Sequence, residues 1–149
     1  MTDCLTLGPL HHLRLTVTDL KRSIRFYTEV LGFDLVIDGP PPTDNPEHDL
    51  MVDSLQGGVV LMNQGMMMAL RPVDDNRMRV GDRFDPFRVG LDHLSFSADS
   101  RADLERTIGV LDSLGVEHGQ IREVSYYGLC FLAFSDPDGI QLELTAPST

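Results

Sequence analysis

From His12 to Phe33 the chain reads HLRLTVTDLKRSIRFYTEVLGF, and from His93 to Val116 it reads HLSFSADSRADLERTIGVLDSLGV. Each passage opens on a histidine and continues as an alternating strand, with Leu13, Leu15 and Val17 answered by Leu94, Phe96 and Ala98. Each then reaches a polar helix start, Thr18-Asp19 or Asp99-Ser100, whose side chains can accept from free backbone N–H groups. Apolar residues at helical spacing follow: Leu20, Ile24, Tyr27 and Leu31, then Leu104, Ile108, Leu111 and Leu114. Both helices are expected to stop at glycine, Gly32 and Gly115. Self-similarity at this distance predicts a duplicated architecture.

The ends of the two passages correspond as well. GMMMALRP (65–72) aligns with GIQLELTAP (139–147), Gly65 against Gly139 and Leu70 against Leu144. Two further strands fit within each half: 33–38 and 57–63, then 123–128 and 129–135. Each half therefore reads βαβββ. Module one spans about 8–72 and module two about 89–147, joined by a polar connection at 73–88, and a proline-rich loop is expected at 39–49. The fold class is α+β, with helices on one face of curved sheets.

Strand parity sorts the side chains. If the leucines of each first strand cover a helix, then His12, Arg14 and Thr16 share the other face, as do His93, Ser95 and Ser97. After the turn Asp136-Pro137-Asp138-Gly139, Glu143 lies opposite Ile140, Leu142 and Leu144. A lone Glu or His on a strand is most simply solvated or packed. Two histidines at equivalent repeat positions plus one Glu suit a divalent metal, should the second faces of the two halves meet. His11 competes with His12, but parity and repeat position select His12. His48 and His118 carry no comparable argument and are expected to be solvated.

Composition narrows the partners. With 12 Lys and Arg against 23 Asp and Glu, the 149 residues carry a formal charge of −11 and a pI near 4.6, which argues against nucleic acid or an anionic membrane surface. Cys4 and Cys130 provide neither a disulfide framework nor a CxxC site. No apolar run approaches the ~18 residues of a membrane span, and the N-terminus lacks the pattern of a signal peptide. A cytoplasmic location is expected.

HHLRLTVTDLKRSIRFYTEVLGF, GLDHLSF and DPDGIQLEL together resemble the vicinal oxygen chelate superfamily, which includes glyoxalase I, bleomycin- and fosfomycin-resistance proteins, methylmalonyl-CoA epimerase and extradiol dioxygenases. The resemblance implies two βαβββ modules cupped around one divalent ion (Fe, Mn, Zn or Ni), with its ligands at His12, His93 and Glu143, and a small-molecule substrate. It also implies a homodimer. In glyoxalase I and the epimerases a fourth ligand comes from the last strand of module one, where this chain has Ala69. Extradiol dioxygenases share the three-ligand set but place a tyrosine ten residues before the Glu, where Ala133 stands here. Fosfomycin thiol transferases have Thr where Arg14 stands, and bleomycin-binding members lack the ligands.

The remaining candidates follow from chemistry. Arg14 can pair with an acidic substrate group or sit at a solvated rim, and Ser95 shares the substrate-facing side of its strand. Tyr126 and Tyr127 are candidates for an acid–base phenol, or for packing. Met62, Met66, Met67 and Met68 offer an apolar lining, or fill the core. The leading expectation is a metal-dependent enzyme acting on vicinal oxygens, oxygenase-like or a glyoxalase-like lyase or isomerase. An antibiotic-modifying thiol transferase or hydrolase and a metal-free binding protein are the alternatives.

Overall fold

The computed structural model describes residues 7–149, so Cys4 lies outside the described residues. The chain divides into two compact units at Met78/Arg79, inside the 73–88 connection. Both are mixed α+β modules built on one plan.

In module one, β1 (His12–Val17) runs into α1 (Leu20–Arg25), then β2 (Asp34–Ile37), α2 (His48–Leu55), β3 (Val59–Asn63) and β4 (Met66–Pro72). The sheet order is β1-β4-β3-β2, with β1 parallel to β4 and the other pairs antiparallel. The parity expected for β1 holds: Leu15 and Val17 are buried, while His12, Arg14 and Thr16 are exposed. Asp19 caps α1 by accepting from the Arg22 N–H at 3.0 Å. Past Arg25 the helix widens into a π-helical turn, Phe26–Val30. The Thr28 hydroxyl donates to the Ile24 carbonyl at 2.9 Å, and side-chain competition of this kind loosens a backbone ladder. Tyr27, Leu61, Met68 and Leu70 are wholly buried in this module; each such side chain contributes about 1.5–3 kcal/mol relative to exposure.

Module two repeats the plan with β5 (Leu94–Ser97), α3 (Arg101–Ser113), β6 (Arg122–Val124), β7 (Leu129–Ser135) and β8 (Gln141–Pro147), in the order β5-β8-β7-β6 with β5 parallel to β8. Its core gathers Leu104, Leu111, Leu132, Leu142 and Cys130. Ser100 caps α3, and its hydroxyl hydrogen bond, helped by the Arg106 guanidinium, holds the Asp103 carboxyl below its usual range. Gly32 and Gly115 lie just past the π-helical turn and α3, at φ +68° and +66°, as the repeat predicts.

Five expectations need correction. The 39–49 loop gives way at His48 to a helix, α2, for which module two has no counterpart. His48 is not merely solvated, because its Nδ1 lies 2.7 Å from the Pro41 carbonyl and ties the loop to the helix start. His118 likewise bonds the Gly119 carbonyl at 2.7 Å and Asp112 at 3.2 Å. The 123–128 strand stops at Val124, and Ser125–Tyr127 form a 3-10 turn closed by Gly128 at φ +64°. The connection at 73–88 is also partly built into module two, where the Phe84 N–H donates to the Asp138 carbonyl at 3.0 Å.

Candidate functional site

Strand register gives the repeat its structural meaning. Arg14 pairs with Ala69 across β1 and β4, and Ser95 pairs with Glu143 across β5 and β8. In each pair the first partner stands two residues beyond the repeat histidine and the second four beyond a positive-φ glycine, Gly65 or Gly139. Residues 69 and 143 are therefore equivalent positions on equivalent strands.

In module two, the Glu143 side chain is held on the Ser95 face of the sheet. Its Oε1 accepts from the Ser95 hydroxyl at 3.0 Å and the Thr145 hydroxyl at 2.8 Å, and the two hydroxyls are 2.7 Å apart. Two protons serve three close contacts, so one hydroxyl can always donate to the carboxylate. Oε2 has no partner among the described residues. His93, whose side chain is 45% exposed, sits just before β5 with Nδ1 2.5 Å from the Asp92 carboxylate. An Nδ1–H held that way leaves the Nε2 lone pair available.

The DPDG turn that launches β8 owes its shape to more than Pro137 and Gly139. The buried Asp136 carboxylate accepts from the N–H groups of Asp138 at 2.9 Å and Ile140 at 2.8 Å. The Arg83 guanidinium lies against Gly139, 3.2 Å from where a Cβ would be, but that flexible side-chain end can shift, and it is the φ of +79° that favours glycine there.

In module one, His12 opens β1 with its Nδ1 2.9 Å from Nδ1 of His11. One of the two rings must donate and the other accept, so the pair shares a proton. When His12 donates, its own Nε2 is free. Arg14 reaches across to the end of α2, where Nη1 donates to the Ser54 carbonyl at 2.8 Å and Nη2 to the Leu55 carbonyl. Helix α2 has no basic residue in its last turn, and Arg14 supplies the cation its carbonyl end favours. Arg71, unnoticed in the sequence, does related work: Nε donates to Thr16 Oγ1 at 3.0 Å and Nη1 to the Gln56 side chain. Thr16, Gln56 and Arg71 line a cavity of about 770 Å3 with residues 72–77. Two arginines pointing to one helix end were invisible because α2 itself was not foreseen.

The methionines divide by parity. Met67 pairs with both His12 and Met62, so these two methionines share the histidine's face, whereas Met68 is wholly buried in the core. Tyr126 and Tyr127 are 91% and 71% exposed, their rings edge to face at 5.0 Å. Among the described residues no three His, Cys, Asp or Glu side chains form a ready-made metal cluster. Also among them, no helix is long and apolar enough to cross a membrane.

Comparison with known proteins matches this plan. The chain is 31% identical over 141 residues to the uncharacterized protein YaeR of Escherichia coli (strain K12), covering 94% of this chain and 97% of that one. A glyoxylase/bleomycin resistance protein/dioxygenase domain from Frankia sp. EAN1pec has the same fold, with a TM-score of 0.75, 31% identity and coverage of 95% and 93%. The fosfomycin resistance protein FosX of Listeria monocytogenes, solved as a variant with Mn(II) and 1S,2S-dihydroxypropylphosphonic acid, shares the fold at 17% identity, TM-score 0.68 and coverage of 96% and 95%. The profile of one family runs across residues 9–144, both modules included, and the chain belongs to that family, the Glyoxalase/Bleomycin resistance protein/Dioxygenase superfamily.

Proposed function

We propose that the protein is a divalent-metal-dependent enzyme acting on a small substrate with vicinal oxygens, its metal held by His12, His93 and Glu143. The observation that carries this reading is the Glu143 carboxylate, with Oε1 engaged by two hydroxyls and Oε2 left open on a strand face that needs no charge for folding. Two imidazoles and one carboxylate fit a borderline divalent ion chemically. A metal bound there supplies Lewis acidity toward two adjacent substrate oxygens. The register equivalence of Ala69 and Glu143 supports a three-ligand set, which favours oxygenase-like chemistry over a glyoxalase-like lyase or isomerase.

The chain's own residues divide the remaining work. Ser95 has its hydroxyl beside the carboxylate and is proposed to meet substrate there. Arg14 has guanidinium N–H groups beyond the two that hold α2, and these are proposed to meet an acidic substrate group. Tyr126 and Tyr127 are proposed as acid–base phenols; Tyr126→Phe and Tyr127→Phe measured separately identify which one lowers turnover. A homodimer, common in this superfamily, is expected in solution, so light scattering should give about twice the 16.6 kDa chain mass.

The test is metal content after purification without chelators, followed by dialysis of wild type and Glu143→Gln. Wild type should retain one ion per chain and Glu143→Gln should lose at least ~10-fold in affinity. Equal retention refutes the ligand assignment. Dioxygen uptake, set against thiol consumption, then separates the oxygenase from a thiol transferase.

A further inference from the structure

The hydroxyls of Ser95 and Thr145 and the carboxylate of Asp92 do nothing that the fold requires. Ser95 and Asp92 are exposed, and neither Ser95 nor Thr145 contributes to the apolar core. Yet each hydrogen-bonds a functional side chain, Glu143 or His93, the two hydroxyls bonding each other as well. We propose that Asp92, Ser95 and Thr145 are positioning residues: the hydroxyl pair fixes Glu143 so that Oε2 is the donor atom, and Asp92 fixes the His93 tautomer and ring so that Nε2 is the donor atom. This rests on the metal-centre reading above. It makes module two a preformed half-site, while His12 depends on a proton shared with His11.

The two hydroxyls are redundant by geometry. Each lies within hydrogen-bond distance of the same Oε1 and of the other, so either alone can still donate to the carboxylate. Losing one should matter little, and losing both should free Glu143 to rotate. Outer-shell losses of this kind typically weaken metal binding 10- to 100-fold.

The experiment uses the full chain stripped with chelator and titrated with Co²⁺ alone, whose visible absorption reports ligand geometry as well as affinity. Ser95→Ala and Thr145→Val should each lose only a few-fold in affinity. The double variant should lose ~10- to 100-fold, more than the product of the singles, and Thr145→Ser in the Ser95→Ala background should restore it. Asp92→Ala, at an exposed position, should lose ~10-fold or more and alter the Co²⁺ spectrum. Thermal unfolding of the metal-free proteins should be nearly unchanged, which a merely structural role would not allow. Wild-type binding with equal affinity and spectrum in the double variant and in Asp92→Ala overturns the positioning role while leaving the metal reading intact. A wild type that binds no Co²⁺ overturns both.

Discussion

Gly58 and Gly109 should respond to the same substitution with opposite signs. At Gly58 an added Cβ would lie 2.2 Å from the Leu70 carbonyl oxygen, 2.9 Å from the Leu55 carbonyl oxygen and 3.0 Å from the Arg71 Cα. The first contact falls about 1.2 Å short of the 3.4 Å at which ordinary packing begins, and all three neighbours are backbone. No rotamer change relieves it. The start of β3 must move off β4 where Val59 pairs with Leu70, and the Leu55 carbonyl that receives both the Gly58 N–H and Arg14 moves with it. Overpacking costs about 1–3 kcal/mol, and disturbed hydrogen bonds add about 1 kcal/mol each, so Gly58→Ala should destabilise by about 3 kcal/mol. At about 2–4 °C per kcal/mol for a chain of this length, the melting midpoint should fall by about 6–12 °C. Gly109 lies on the exposed side of α3 with no heavy atom within 4 Å of the added methyl. There Gly109→Ala should gain about 1 kcal/mol in helix propensity and raise the midpoint by about 2–4 °C. Calorimetry on both variants provides the check. A Gly58→Ala midpoint within about 2 °C of wild type would mean that β3 and β4 accommodate the methyl and that the clash argument is wrong.

His118 should titrate above the ordinary imidazole range, because the Gly119 carbonyl and the Asp112 carboxylate both take a proton from its ring and only the charged form donates to both. Its folded value is raised, so the stability it contributes is complete below the unfolded value and is lost as pH rises through the folded one; NMR titration checks the direction, and His118→Gln should remove that part of the pH dependence. Ser23 is wholly buried and its hydroxyl has no partner among the described residues, so Ser23→Ala should be neutral to stabilising by about 1 kcal/mol in urea unfolding. A clear loss of stability would show that the hydroxyl is satisfied after all.

Much of this was legible in the chain because it depends on local rules. Alternation placed His12, Arg14 and Thr16 on one face and Leu15 and Val17 on the other, and Asp19, Ser100, Gly32 and Gly115 marked helix ends by their own chemistry. The equivalence of Ala69 and Glu143 on their own strands followed from counting beyond two glycines. What escaped is non-local or weakly patterned. Helix α2 is eight residues long and starts among prolines, with Leu50 and Val52 exposed, so it carries no clean apolar stripe. The turn at Ser125–Tyr127 takes in two tyrosines of strong strand propensity, where the short β6–β7 pairing wins over preference. The Ser95–Thr145–Glu143 cluster joins residues about 50 apart, and only the parallel pairing of β5 with β8 brings them together.

That pairing also explains why the two modules treat equivalent positions differently. In module two a small hydroxyl, Ser95, stands beside Glu143 and leaves the carboxylate room. In module one the cross-strand pair is Arg14 beside Ala69, and the guanidinium holds the end of α2. Restoring a carboxylate at 69 therefore does not by itself recreate a ligand. Ala69→Glu would place an anion next to Arg14, and a charge-assisted pair would compete with the neutral carbonyls of Ser54 and Leu55. The single variant should lose part of the α2 anchor, with a lower melting midpoint and little change in Co²⁺ affinity. Arg14→Ser combined with Ala69→Glu copies the module-two arrangement and should leave the new carboxylate free, tightening Co²⁺ by ~10-fold or more on the scale of such ligand-shell changes. Thiol-dependent methylglyoxal turnover, expected to be low in wild type, should rise only in that double variant. If Ala69→Glu alone tightens Co²⁺ as much as the pair of changes does, Arg14 does not capture the carboxylate. Strong methylglyoxal turnover by wild type would show that the chain has no need of a side chain at position 69.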